Sequence, residues 1–107
     1  MAKRLAATAA RDGERTHLWV SGELDLTTRD DLITAALEAL AETPVVLDVD
    51  LSGVTFCDSS GISGLLAILR MSEGEGKRLI VSHPQHQVTR ALEIAGVLDR
   101  LTDPAPG

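Results

Sequence analysis

Val45-Val46-Leu47-Asp48-Val49-Asp50-Leu51-Ser52-Gly53-Val54-Thr55-Phe56-Cys57, continued by Asp58-Ser59-Ser60-Gly61 and then by Ile62 to Met71, is the stretch that decides the fold. Its opening reads as a buried strand over Val45 to Val49, bounded by Pro44 and by a Ser52-Gly53 turn. Its end places Ile62, Leu65, Leu66 and Leu69 at helical spacing, stopped by the glycines of Ser72-Glu73-Gly74-Glu75-Gly76. Asp58-Ser59-Ser60-Gly61 therefore stands at a strand-to-helix junction. A helix start offers unpaired N–H groups and the positive end of the helix dipole, so an anion attached to a serine there can be held or presented to a partner.

Upstream, Thr16 to Ser21 mixes β-branched and large apolar residues, and Arg11-Asp12-Gly13-Glu14-Arg15 reads as a turn from a first strand over Leu5 to Ala10. Leu32, Ile33, Ala36, Leu37 and Leu40 then recur at helical spacing, with Thr27 or Thr28 as N-cap and Asp30-Asp31 in the first turn. Downstream, Arg78 to Ser82 is a further strand, and Val88, Ala91, Leu92 and Ala95 mark a helix that stops at Gly96. Strands alternate with helices from about residue 44 onward, which implies crossover connections in a mixed sheet. The expected fold class is α/β, a single-domain mixed β-sheet of about four to five strands with three to four helices packed mainly on one face. The domain is expected to occupy residues 1–102, followed by a flexible tail over 103–107.

At 107 residues the chain fits one domain. Trp19 and Phe56 are the only aromatic residues, so the core must be aliphatic and stacking platforms for bases are missing. A net charge of −6 also opposes binding to polyanions, which are held by clustered Lys and Arg. Nucleic acid and anionic membrane are accordingly not expected partners. Cys57 is the only cysteine, which rules out an intramolecular disulfide and fits a reducing cytoplasm. No run reaches the ~18 apolar residues that a membrane span needs, and a monomer is the default expectation.

A serine on a sharp strand-to-helix turn suggests a hydrolase elbow, but that pattern needs glycine two residues before and two after the nucleophile. Cys57 precedes Ser59 at that distance and Asp58 precedes Ser60, and none of His17, His83 and His86 is marked as a general base. His83-Pro84-Gln85-His86 lacks a third metal ligand and reads as a solvated turn. Asp48 and Asp50 share one strand face and read as edge or strand-end residues. For Asp58-Ser59-Ser60-Gly61 the plainer reading is helix capping by Ser59 or Ser60, with Gly61 relieving a tight turn. Capping and function are compatible. No cofactor is expected and no metal ligands are assigned.

The block from Leu47 through Val54-Thr55-Phe56-Cys57-Asp58-Ser59-Ser60-Gly61-Ile62-Ser63-Gly64-Leu65-Leu66 resembles the signature of the STAS domain family, particularly the bacterial anti-sigma factor antagonists. Val20-Ser21-Gly22-Glu23-Leu24-Asp25 resembles that family's second recurring element, so the resemblance covers nearly the whole chain. It implies a binding switch rather than an enzyme. The partner would be an anti-sigma factor serine kinase that phosphorylates the serine after the aspartate, here Ser59, and a PP2C-type phosphatase would reverse the modification. The unmodified protein would bind the anti-sigma factor and free the sigma factor. The docking surface would comprise Asp25, Thr27, Thr28, Asp58, Ser59, Ser60, Gly61 and Ser63. The same domain also serves as a scaffold or adaptor in stressosomes and lipid-transport complexes, which is the alternative expectation.

Overall fold

In the computed structural model, which describes residues 5–102, two antiparallel strands open the chain and alternating helices and strands complete it. They are β1 (Leu5–Asp12), β2 (Arg15–Leu24), α1 (Arg29–Ala41), β3 (Val46–Cys57), α2 (Ser59–Gly74), β4 (Arg78–Ser82), α3 (His86–Ile94) and α4 (Leu98–Leu101). The four strands lie in the order β1-β2-β3-β4, antiparallel between β1 and β2 and parallel across β2-β3 and β3-β4. The expected mixed sheet and helix count are both present. The expected flexible tail over 103–107 lies outside the described residues.

Side-chain alternation assigns the two sheet faces. Leu18 and Val20 of β2, Leu47, Val49 and Leu51 of β3, and Leu79 and Val81 of β4 join one apolar cluster with Leu32, Ala36 and Leu40 of α1 and Leu65, Ile68 and Leu69 of α2. Val88, Leu92, Val97 and Leu101 of the last two helices complete this core. It contains no aromatic residue, as the composition requires.

β3 does not end near Val49. It starts one residue later than Val45 and continues through Ser52-Gly53 to Cys57. A Cβ on Gly53 would stand 2.7 Å from the Ser21 Cβ, so glycine permits the close passage of β3 over β2 where the ladder shifts register between Trp19 and Ser21. The dipeptide that suggested a turn is thus part of a bulged strand. β2 likewise runs on to Leu24, with Gly22 at φ 116 in the second register shift.

β3 lies between β2 and β4, so Asp48 and Asp50 are not edge residues but buried ones on the face opposite the helices. Burial of carboxylates requires partners. Arg15 Nη1 donates to Asp48 Oδ2 at 3.2 Å, and Ser82 Oγ donates to Asp48 Oδ1. Asp50 accepts from the Ser52 N–H at 2.8 Å, and its Oδ2 lies 3.1 Å from His17 Nε2 and 3.3 Å from His83 Nδ1. His17 stacks on Trp19 with ring centroids 4.1 Å apart. His83 sits exposed after β4, as expected of a solvated turn, and still reaches Asp50, while His86 begins α3. Burial pushes the Asp50 carboxyl up, but hydrogen bonds from Ser52 and His17 and the nearby His83 charge outweigh it and leave the group below its ordinary value.

Candidate functional site

The ends of β2 and β3 lie side by side, with Leu24 opposite Cys57, and the Asp58 N–H donates to the Leu24 carbonyl at 3.1 Å. This single pairing brings the loop after β2 and the start of α2 to the same end of the sheet. Ligands and partners favour this end of a parallel sheet, because the strands there feed into helix N-termini.

At the second junction Asp58 is the N-cap of α2. Its side-chain Oδ1 accepts from the N–H groups of Ser60 at 2.9 Å and Gly61 at 3.1 Å, and its carbonyl accepts from Ile62 N–H at 3.0 Å. The cap is therefore the aspartate, not Ser59 or Ser60. A carboxylate accepts two amides at once and suits the dipole better than a hydroxyl, which is why it wins the position. Ser59 becomes the first helical residue, exposed, and its hydroxyl makes no hydrogen bond among the described residues.

Gly61 does not relieve a turn. A Cβ there would stand 2.6 Å from the Leu24 carbonyl oxygen and 3.0 Å from Cys57 Sγ, so only glycine lets α2 start this close to β2. Gly64 repeats the arrangement one turn on, where a Cβ would meet Arg29 Cγ at 3.3 Å and Leu32 Cδ2 at 3.4 Å. Ser63 follows Ser59 by four residues and is exposed, so the two hydroxyls share one helix face.

At the first junction Asp25 Oδ1 accepts from the N–H groups of Thr27 at 3.0 Å and Thr28 at 3.2 Å and from the Thr27 hydroxyl at 2.7 Å. The Asp25 carbonyl accepts from the Arg29 N–H at 2.9 Å. This is an Asx turn that launches α1. Thr28 occupies the N-cap position but caps no helix amide; its hydroxyl donates to the Glu23 carbonyl at 2.6 Å and accepts from the Asp25 N–H at 3.0 Å. Thr28 is 2% exposed and Gly61 is buried, whereas Thr27, Ser59 and Ser63 are exposed and Asp25, Asp58 and Ser60 are half-buried.

Two further surface residues border the site. Leu26 in the β2–α1 loop is 72% exposed and Phe56, opposite Glu23 at the end of β3, is 47% exposed. Exposed apolar side chains can give a polar site apolar contact with a partner. Their signal in the sequence is weak, because an apolar residue beside a strand end reads as core. Beneath the site, burial and the adjacent Asp58 charge push the Cys57 thiol up to about 11, so the thiol is inert at neutral pH. Among the described residues no group of three or more His, Cys, Asp or Glu is placed to hold a metal ion, and no helix is long and apolar enough to cross a membrane.

No curated protein sequence matches the chain. Among solved structures it is similar to the unphosphorylated anti-sigma factor antagonist SpoIIAA, with a TM-score of 0.73 and 21% identity over 92% of this chain and 86% of that one. The phosphorylated form of SpoIIAA, from Bacillus, gives 0.67 and 20% over 92% and 89%. An anti-sigma factor antagonist from Mycobacterium paratuberculosis gives 0.73 and 26% over 92% and 82%. A sulfate transporter family protein from Wolinella succinogenes gives 0.72 and 22% over 86% and 75%. The family model described as Mlab, STAS domain, matches residues 7–103, and the chain therefore belongs to the STAS domain family.

Proposed function

We propose that this protein is an anti-sigma factor antagonist: unphosphorylated, it binds an anti-sigma factor serine kinase and releases the sigma factor, and phosphorylation of Ser59 ends that binding. The observation that carries the reading is the division of labour at the start of α2. Asp58 supplies the cap, which leaves the Ser59 hydroxyl exposed for a kinase. Capping and modification therefore do not compete for one atom.

The same geometry explains how the switch works. Phosphoserine carries about −1.5 to −2 charges. The Ser60 and Gly61 amides are already bonded to Asp58, so the new charge stands beside an existing carboxylate that repels it. Docked against a partner it would be an unpaired buried anion, which is strongly unfavourable. The free domain has no reason to refold. In this reading Asp25, Thr27, Asp58, Ser59, Ser60 and Ser63 form the docking surface, Leu26 and Phe56 give it apolar contact, and the buried Thr28 and Gly61 hold it in shape. The protein is a substrate and switch rather than an enzyme, it acts in the cytoplasm as a monomer, and a PP2C-type phosphatase resets it.

Incubation with ATP and a soluble extract of the source organism, followed by mapping of phosphate by mass spectrometry, tests the assignment. Phosphate on Ser59 that disappears in Ser59→Ala supports it. An unmodified protein in an extract whose kinase activity is verified on a second substrate opposes it. The similarity to a sulfate transporter family protein favours a second reading, an adaptor held in a larger complex. Stable co-purification with such a complex, indifferent to Ser59, distinguishes it.

A further inference from the structure

The outer edge of β1 has no strand beside it among the described residues, and every residue from Ala6 to Asp12 is exposed. Natural edges are usually blunted by lysine, proline or a bulge. Leu5-Ala6-Ala7-Thr8-Ala9-Ala10 has none of these, and charged residues enter β1 at its far end, as Arg11 and Asp12. Beside this edge runs a groove of about 380 Å³ between β1 and α1, whose walls include Ala7, Ala9, Thr16, Ala35, Glu38 and Glu42. A second hollow of about 300 Å³ continues it, sharing Ala7, Ala35 and Glu38 and adding Asp31. The groove exists because alanines stand where larger residues would fill the space between strand and helix. Thr16 is 2% exposed and lines it, and its hydroxyl has no hydrogen-bond partner among the described residues.

We propose that the β1 edge and the β1–α1 groove together bind an extended basic peptide segment of a partner protein as a fifth strand. The backbone of β1 supplies ladder hydrogen bonds, and side chains alternate, so every second residue of the added strand faces the groove. A lysine there lays its aliphatic stem on the alanine methyls and reaches Glu38 or Glu42 with its ammonium group. A second copy of this chain is the poorer occupant. Pairing two β1 strands about a twofold axis would turn the Asp31, Glu38 and Glu42 faces of the two α1 helices toward each other, and like charges oppose that approach. Among the described residues Arg11 is the only basic side chain along the groove, and its Nε is engaged with the Gly13 carbonyl at 3.1 Å.

The test is a titration of isotopically labelled protein with an acetylated, amidated peptide of about seven residues alternating lysine and valine, followed by amide chemical shifts. Expected shifts concentrate in β1 and α1, and the β1 amides gain protection from exchange. The double variant Glu38→Gln/Glu42→Gln binds about tenfold more weakly. A backbone N-methylated peptide and one alternating glutamate and valine do not bind, and Ser59→Ala binds as the parent does. Binding that survives N-methylation would be charge attraction without strand addition and overturns the proposal. So do shifts centred on α2, the absence of binding at millimolar peptide, or self-association through β1 in the peptide-free protein.

Discussion

Gly61 and Leu24 approach so closely that a Cβ on the glycine would stand 2.6 Å from the leucine carbonyl oxygen and 2.7 Å from its Cβ. The atom in the way is backbone, and it is already engaged by the Asp58 N–H. Gly61→Ala should therefore push α2 off β2 and cost about 2–3 kcal/mol. Urea unfolding measures this, and a loss under about 0.5 kcal/mol would show that the junction yields easily.

Asp58 combines a cap and a charge, and two substitutions separate them. Asp58→Asn keeps an oxygen for the Ser60 and Gly61 amides and should leave stability within about 0.5 kcal/mol of the parent, whereas Asp58→Ala should lose about 1 kcal/mol. Equal losses in the two variants would mean that the charge, not the hydrogen bonds, secures the helix start. If Asn preserves stability but alters partner affinity, the carboxylate belongs to the docking surface.

Cys57 should be nearly unreactive. Raising its thiol from 9.0 to about 11 lowers the thiolate fraction at pH 8 roughly a hundredfold, before burial slows the reagent further. Iodoacetamide alkylation of native and urea-unfolded protein measures the ratio, and comparable rates would contradict it. The folded state holds this proton more tightly than the unfolded chain, so the contribution is complete below pH 9.0 and lost as pH rises through about 11.

Asp50 acts in the opposite sense. Its carboxyl titrates below the ordinary 3.8, so the folded state favours the ionised form, and the stability it contributes is present above that value and lost as pH falls through the lower folded one. Melting temperature measured between about pH 2 and 6 should fall less steeply on the acid side for Asp50→Asn than for the parent protein. Superimposable acid limbs would remove Asp50 from the account.

The fold was legible where local signals agreed with the tertiary structure. The periodicity of Leu32, Ala36 and Leu40, Gly76 just after α2 and the apolar β3 core each point to the element they form or end. Two features escaped because they depend on distant neighbours. Ser52-Gly53 has turn chemistry, yet the passage of Ser21 beneath it makes it strand. Asp48 and Asp50 look like strand-end residues until Arg15, His17 and Ser82, brought from other strands, appear as their partners. At the site, Asp58 and Ser59 were readable, but which of them caps α2 was not. Both residue types favour that position, and only backbone geometry separates them. Leu26 and Phe56 were missed because an apolar residue shows in sequence no sign of being left in water.

The proposed switch is a single change of charge at Ser59. Calorimetric titration of the cognate anti-sigma kinase with the unmodified protein and with stoichiometric phosphoserine at position 59 tests it most directly. The account predicts at least a hundredfold weaker binding after modification, about 2.7 kcal/mol, with the far-UV circular dichroism unchanged. Equal affinities, or weakening accompanied by loss of helix, would contradict it.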